Sequence, residues 1–208
     1  MSSTAFGVHE GLLAAGRVPS VSRRGERISA GEVVMLLLVG AAAAAASAFI
    51  RLGLRIPGHA IVLAVMPMSL GLALAPRRFS GSIMGVGAFA TAVGLSAGGY
   101  ASYGAGAMTS LCLTGPLMDV ALAGAAGGWR LYAGLILAGF GSNGLAFLQR
   151  AGSKLVGLDG PGTRFFTEWW PQALVTYTVS GAVAGLLGAL CWFHLRSQTD
   201  TRRQRSSA

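Results

Sequence analysis

Charge is the scarcest thing in this chain. Only 11% of its residues are Asp, Glu, Lys or Arg, against about a quarter in an ordinary soluble domain, and so small a share does not coat a water-facing surface. Acidic residues are rarer still, 7 against 16 Lys and Arg, which leaves a formal net charge of +9. Cysteine is nearly missing. Cys112 and Cys191 both sit inside apolar runs, so neither a disulfide framework nor a cysteine metal cluster has the spacing it requires. Also absent are a Walker phosphate loop, an H-E-x-x-H helix, a Ser/His pair in one apolar segment and two neighbouring intramembrane carboxylates, which leaves an enzyme without a motif to stand on. The surplus of positive charge would suggest nucleic acid if it were gathered on one surface. It is instead collected at the ends of apolar segments: Arg17, Arg23, Arg24 and Arg27 precede the first, and Arg196, Arg202, Arg203 and Arg205 follow the last. That is the distribution of topology signals and headgroup contacts, so neither a nucleic-acid partner nor a cofactor is expected.

What is present is apolar residue and glycine. With 53% hydrophobic content and 32 glycines in 208 residues, the chain divides into runs close to the length that crosses about 30 Å of hydrocarbon. The expected fold is all-α, a polytopic bundle of about six transmembrane helices. The spans run from Gly31 to Ile50, His59 to Ala75, Gly81 to Gly98, Gly104 to Ala126, Leu131 to Leu148 and Trp170 to Leu195. Residues 1–30 and 196–208 are basic tails around this single membrane domain, 31–195. With the amino terminus inside, the inner set gains Arg77, Arg78 and Arg130, while the outer set is Arg51, Arg55, Arg150, Lys154 and Arg164. The bias puts both termini in the cytoplasm and the protein in a cell membrane, that of a bacterial inner membrane. A second reading of the first span stays open. Arg23 and Arg24, an apolar stretch and an alanine run ending at Ser47 and Ala48 also fit a cleaved secretory signal, although Gly25, Glu26 and Arg27 do not suit a twin-arginine one.

The first span carries Ala41 to Ala46, flanked by Gly40 and Ala48, so that Gly40 with Ala44 and Ala44 with Ala48 make small-xxx-small pairs along one face. Such faces let helix backbones approach closely in lipid; internal packing and docking of another membrane subunit are both open. An outer loop, Arg51 to His59, contains Ile56-Pro57-Gly58. The short second span holds Pro67, which frees a backbone carbonyl, and ends in Ala75-Pro76-Arg77-Arg78. Gly81, Gly85 and Gly87 open the third span, and Gly115-Pro116 lies in the fourth. Taken together over residues 31–195, this pattern resembles the substrate-binding S components of energy-coupling-factor (ECF) vitamin transporters. The resemblance implies a six-helix solute receptor that docks on a transmembrane coupling subunit driven by two cytosolic ATPase subunits. Ala41, Ala44, Ala45 and Ala48 would be the docking positions, and the missing Walker sequence fits a subunit that does not hydrolyse ATP.

Polar residues at bilayer depth mark candidate sites, because each needs a partner or a wet cavity. Asp119 follows Pro116 and would bind substrate or pair with Arg130 or Arg78. Asn143 would bond a ligand or a neighbouring helix. Tyr100 and Tyr103 lie in an uncharged outer loop, and Trp169 and Trp170 open the last span; such aromatics anchor helices at the interface or, on the S-component reading, stack on a planar vitamin ring. His59 would cap a helix end or ligate a transition metal, with Met108, Cys112 and Asp119 of the fourth span in permissive register. The loop 150–168 would lie in the headgroup zone or cover the outer face. The expected function is a solute-binding subunit of a micronutrient importer. Its alternatives are a cobalt or nickel uptake subunit and a ligand-free structural subunit of a membrane complex.

Overall fold

The computed structural model describes residues 28–50, 58–123, 129–157 and 165–193. They form six helices: α1 (Ala30–Phe49), α2 (Ile61–Leu74), α3 (Ser80–Ala97), α4 (Ala105–Leu122), α5 (Trp129–Leu155) and α6 (Phe166–Phe193). Five of them are long and apolar enough to cross a membrane. Their outward faces carry Val34, Leu38, Val86, Phe89, Val93, Leu137, Phe140, Leu148, Val175, Val179 and Val183, all exposed. An aqueous surface does not hold apolar side chains at that density; a hydrocarbon solvent does. The chain is a multi-pass membrane protein with an all-α bundle fold.

The second expected span is corrected in one respect. The helix there has 14 residues, about 21 Å at 1.5 Å per residue, too short to cross on its own. Its burial explains how it persists: Ile61, Ala64, Val65, Met68 and Leu72 are all within 3% of full burial, and α2 packs against each of the other five helices. It is the central post of the bundle. Pro67 lies within it without ending it, and the carbonyl of Met66 beside the proline accepts from Ser69 Oγ at 2.9 Å and from Trp192 Nε1 of α6 at 3.2 Å. The boundaries of α5 and the start of α6 move outward, while α4 ends at Leu122, short of the expected Ala126. α5 and α6 run to 27 and 28 residues and take over both ends of the expected loop 150–168. The expected tails lie outside the described residues apart from 28–30.

Glycine makes the seams. Gly40 of α1 lies against the backbone of Met84 and Ala88 in α3, Gly81 and Gly115 face each other between α3 and α4, and Gly139 and Gly181 do so between α5 and α6. At each of these places a Cβ would collide with a carbonyl or amide of the facing helix. Backbones in such contact gain dispersion energy along the whole crossing, which replaces the hydrophobic drive that lipid does not supply. In α4 the proline and the glycine seam cooperate. Pro116 frees the carbonyl of Cys112, and that carbonyl faces Gly85 of α3, where a Cβ would sit 2.7 Å from it.

The end of the bundle holding the start of α1 and the α2–α3 turn has its own polar lock. Ser29 N donates to Glu32 Oε2 at 2.8 Å and Glu32 N to Ser29 Oγ at 3.2 Å, a capping box. The remaining oxygen, Oε1, accepts from both Nε and Nη2 of Arg77 at 3.3 Å, with Arg77 2% and Glu32 7% exposed.

A candidate solute cavity

The helices alternate in direction. The end of α1, the starts of α2, α4 and α6 and the end of α5 therefore meet at one end of the bundle, opposite the start of α1. There the shortness of α2 leaves space. A cavity of about 220 Å³ opens above its first turn, with Ile61 and Ala64 as its floor, Ser47 of α1 and Gly106, Ala107, Ser110 and Leu111 of α4 on its sides, and Asn143, Ala146 and Arg150 of α5 facing Tyr177 of α6. Ser102, Tyr103 and Gly104, which connect α3 to α4, complete the wall.

The lining is held rigidly. Asn143 Nδ2 donates to Tyr177 O at 2.7 Å and to Gly58 O at 3.2 Å, which fixes the start of α2 against the α5–α6 pair. Tyr103 OH donates to Ala44 O at 2.8 Å, and burial pushes its phenol above the ordinary tyrosine range. Below Ser110, the Thr114 and Ser142 hydroxyls share a hydrogen bond at 2.6 Å, and Thr114 Oγ1 donates back to Ser110 O at 2.6 Å. This chain of hydroxyls joins α4 to α5 under the cavity, where unpaired polar groups would be costly. Beside it Phe147 stacks on Trp169, with centroids 5.6 Å apart and planes at 13°, and meets Tyr177 edge-on at 5.9 Å.

The sequence candidates separate on this frame. Asn143 lines the cavity and also bonds neighbouring helices, so both of its readings describe the same side chain. Tyr103 of the outer loop is in the wall, whereas Tyr100 is 75% exposed and outside it. Trp169 packs in the α5–α6 seam behind Tyr177, with Lys154 Nζ 5.4 Å from its ring centre; Trp170 is exposed. His59 is half-buried between two lining residues, Gly58 and Ala60. Asp119 lies at the opposite end. Its carboxylate accepts from Gly81 N at 2.9 Å, Ser82 N at 2.6 Å and Ser82 Oγ at 2.7 Å, which caps α3 from a neighbouring helix. Among the described residues no three of His, Cys, Asp and Glu gather as a metal site, so Asp119, Cys112 and His59 do not converge. On α1, Ala44 is fully buried inside the bundle, while Ala41, Ala45 and Ala48 are half-exposed.

Sequence reasoning missed Tyr177, Arg150, Ser47 and Ser110 as site residues. Tyr177 had a signal, being a lone phenol in an apolar run; the serines and Arg150 had none, because only the helix register aims them inward. No family model matches the chain, and neither a curated protein nor a solved structure matches it.

Proposed function

We propose that this chain is the solute-binding membrane subunit of a micronutrient importer. The observation that supports it is the cavity: a small chamber whose lining includes tyrosine, serine, asparagine and arginine, within a bundle whose outward faces are apolar. A purely structural subunit has no reason to hold such a chamber open, since filling it would gain packing energy. Taking the basic tails as cytoplasmic, the chamber opens outward, the side from which an importer loads. The resemblance to S components of ECF transporters supplies the partners of the reading, a transmembrane coupling subunit and cytosolic ATPases. They would meet α1 along Ala41, Ala45 and Ala48, with Ala44 engaged in the chain's own core.

The test is to purify the tagged chain from its native membrane in mild detergent, identify any retained small molecule by mass spectrometry and probe for co-purifying ATPase subunits. A retained solute that is lost on Asn143→Leu, together with an ATPase module, is the expected result. A preparation with neither a retained solute nor an ATPase removes the proposal.

A further inference from the structure

We infer that the solute is a small organic anion, a single carboxylate on a body no larger than one ring or a short chain. This inference rests on the solute-binding reading above and names its substrate class. Three independent features of the cavity have the same electrostatic sign. The first is Arg150, which lines the cavity and is exposed at its mouth; no carboxylate among the described residues lies within ion-pair distance of it. The second is the N-terminus of α4, which begins in the cavity wall without a side-chain cap. A helix start carries partial positive charge and unpaired N–H groups. In α4 the first intrahelical bonds are made by Ala107 and Met108 to Gly104 O, which leaves the N–H groups of Ala105 and Gly106 without a helical acceptor. The third is what the wall lacks: among the described residues that line it there is no Asp or Glu. Compare the other end of the bundle, where the start of α3 is satisfied by Asp119 and Arg77 by Glu32. The fold neutralises that helix start and that buried cation there, and leaves the start of α4 uncapped here.

In a wall of low dielectric these charges add, and a solute carboxylate would accept from Arg150 and the α4 amides together. The hydroxyl of Tyr177 is a further donor, and the Ile61, Ala64 and Leu111 part of the lining is apolar, suited to the uncharged body of the molecule. The volume of about 220 Å³ is below the 300 to 1,000 Å³ of drug-sized pockets, which sets the size limit.

The experiment uses pairs matched in shape and differing in charge: nicotinate with nicotinamide, benzoate with benzamide, pantothenate with panthenol. Thermal stabilisation of the full chain is measured with each, in phosphatidylcholine vesicles and in vesicles that also contain phosphatidylglycerol, alongside mass spectrometry of whatever the purified chain retains. The expected result is stabilisation by at least one acid, or retention of a native acid, with the neutral twin inert. Arg150→Gln should then weaken binding about ten- to a hundred-fold, the worth of one charged hydrogen bond, with Arg150→Lys intermediate. Because Arg150 is exposed, neither substitution should change the melting of the empty chain. Stabilisation by neutral twins, or retention of a neutral molecule indifferent to Arg150→Gln, overturns the anion inference and leaves the solute-binding reading standing. Loss of the acid's effect when phosphatidylglycerol is present assigns the site to a lipid headgroup and likewise overturns it. If no compound binds and nothing is retained, both readings fail.

Discussion

Asp119, near the end of α4, caps the first turn of α3 across the helix interface, its two carboxylate oxygens taking the amides of Gly81 and Ser82 and the hydroxyl of Ser82. The residue at the local cap position, Phe79, has a left-handed backbone (φ 67°) and offers no side-chain acceptor. The carboxylate therefore reaches the positive end of the helix from its neighbour and ties two spans together. Asp119→Ala should lower unfolding stability by about 1–2 kcal/mol, and Asp119→Asn by less, since one acceptor oxygen remains. Melting of the purified variants in mild detergent checks both. Equal losses from the two would argue that the interaction lies elsewhere.

The Glu32–Arg77 pair should behave differently from a surface ion pair. Both side chains are nearly inaccessible, so removing Glu32 takes a carboxylate away from a buried guanidinium. Glu32→Ala should cost about 3–5 kcal/mol, together with the capping box it shares with Ser29. The double variant Glu32→Gln with Arg77→Met should recover most of the loss, because it retains a capping-box acceptor and leaves no buried charge. A double-mutant cycle on melting temperature separates these terms.

Much of this architecture was legible in the sequence. Apolar run lengths located every long helix, and the Ser29-x-x-Glu32 signature was there to be read as a capping box. The second span already read as the shortest, but that its helix is too short to cross was not legible. Its apolar run continues to Ala75, and only packing against five neighbours sustains a helix that stops before the membrane does. That shortfall makes the cavity. Asp119 shows the complementary limit: a carboxylate in an apolar segment signals function in general terms, yet whether it faces a ligand, an arginine or a helix start is fixed by which helices are adjacent. Arg150 looked like one more boundary charge, and its place in the cavity wall follows from the register of a 27-residue α5.

The glycine seams predict a position-specific pattern. Gly115→Ala would drive a methyl into the carbonyl of Gly81 and force α3 and α4 apart, an overpacking change of about 1–3 kcal/mol. Gly144→Ala meets nothing within 4 Å and lies inside α5, so it should be neutral or stabilising by up to about 1 kcal/mol through helix propensity. Melting curves of the two alanine variants decide this. Similar behaviour would mean that glycine serves backbone freedom and not close approach.

Tyr103 supplies a pH signature tied to the cavity wall. Its hydroxyl donates to Ala44 O, and burial raises its ionisation above the ordinary value, which is about 10 in an unfolded chain. A group raised in the folded state holds its proton more tightly there, so its contribution is fully present below about pH 10 and is lost as the pH climbs through the folded value. Tyr103→Phe removes the donor and should cost about 0.5–1.5 kcal/mol near neutrality. It should also flatten the part of the alkaline stability decline that belongs to this residue. Melting temperatures of the wild type and Tyr103→Phe, followed from pH 8 to the alkaline limit of the detergent, should converge as the pH rises. Parallel curves would show that the Tyr103 phenol keeps the same ionisation in folded and unfolded chains, and that the wall at Ala44 is held by packing alone.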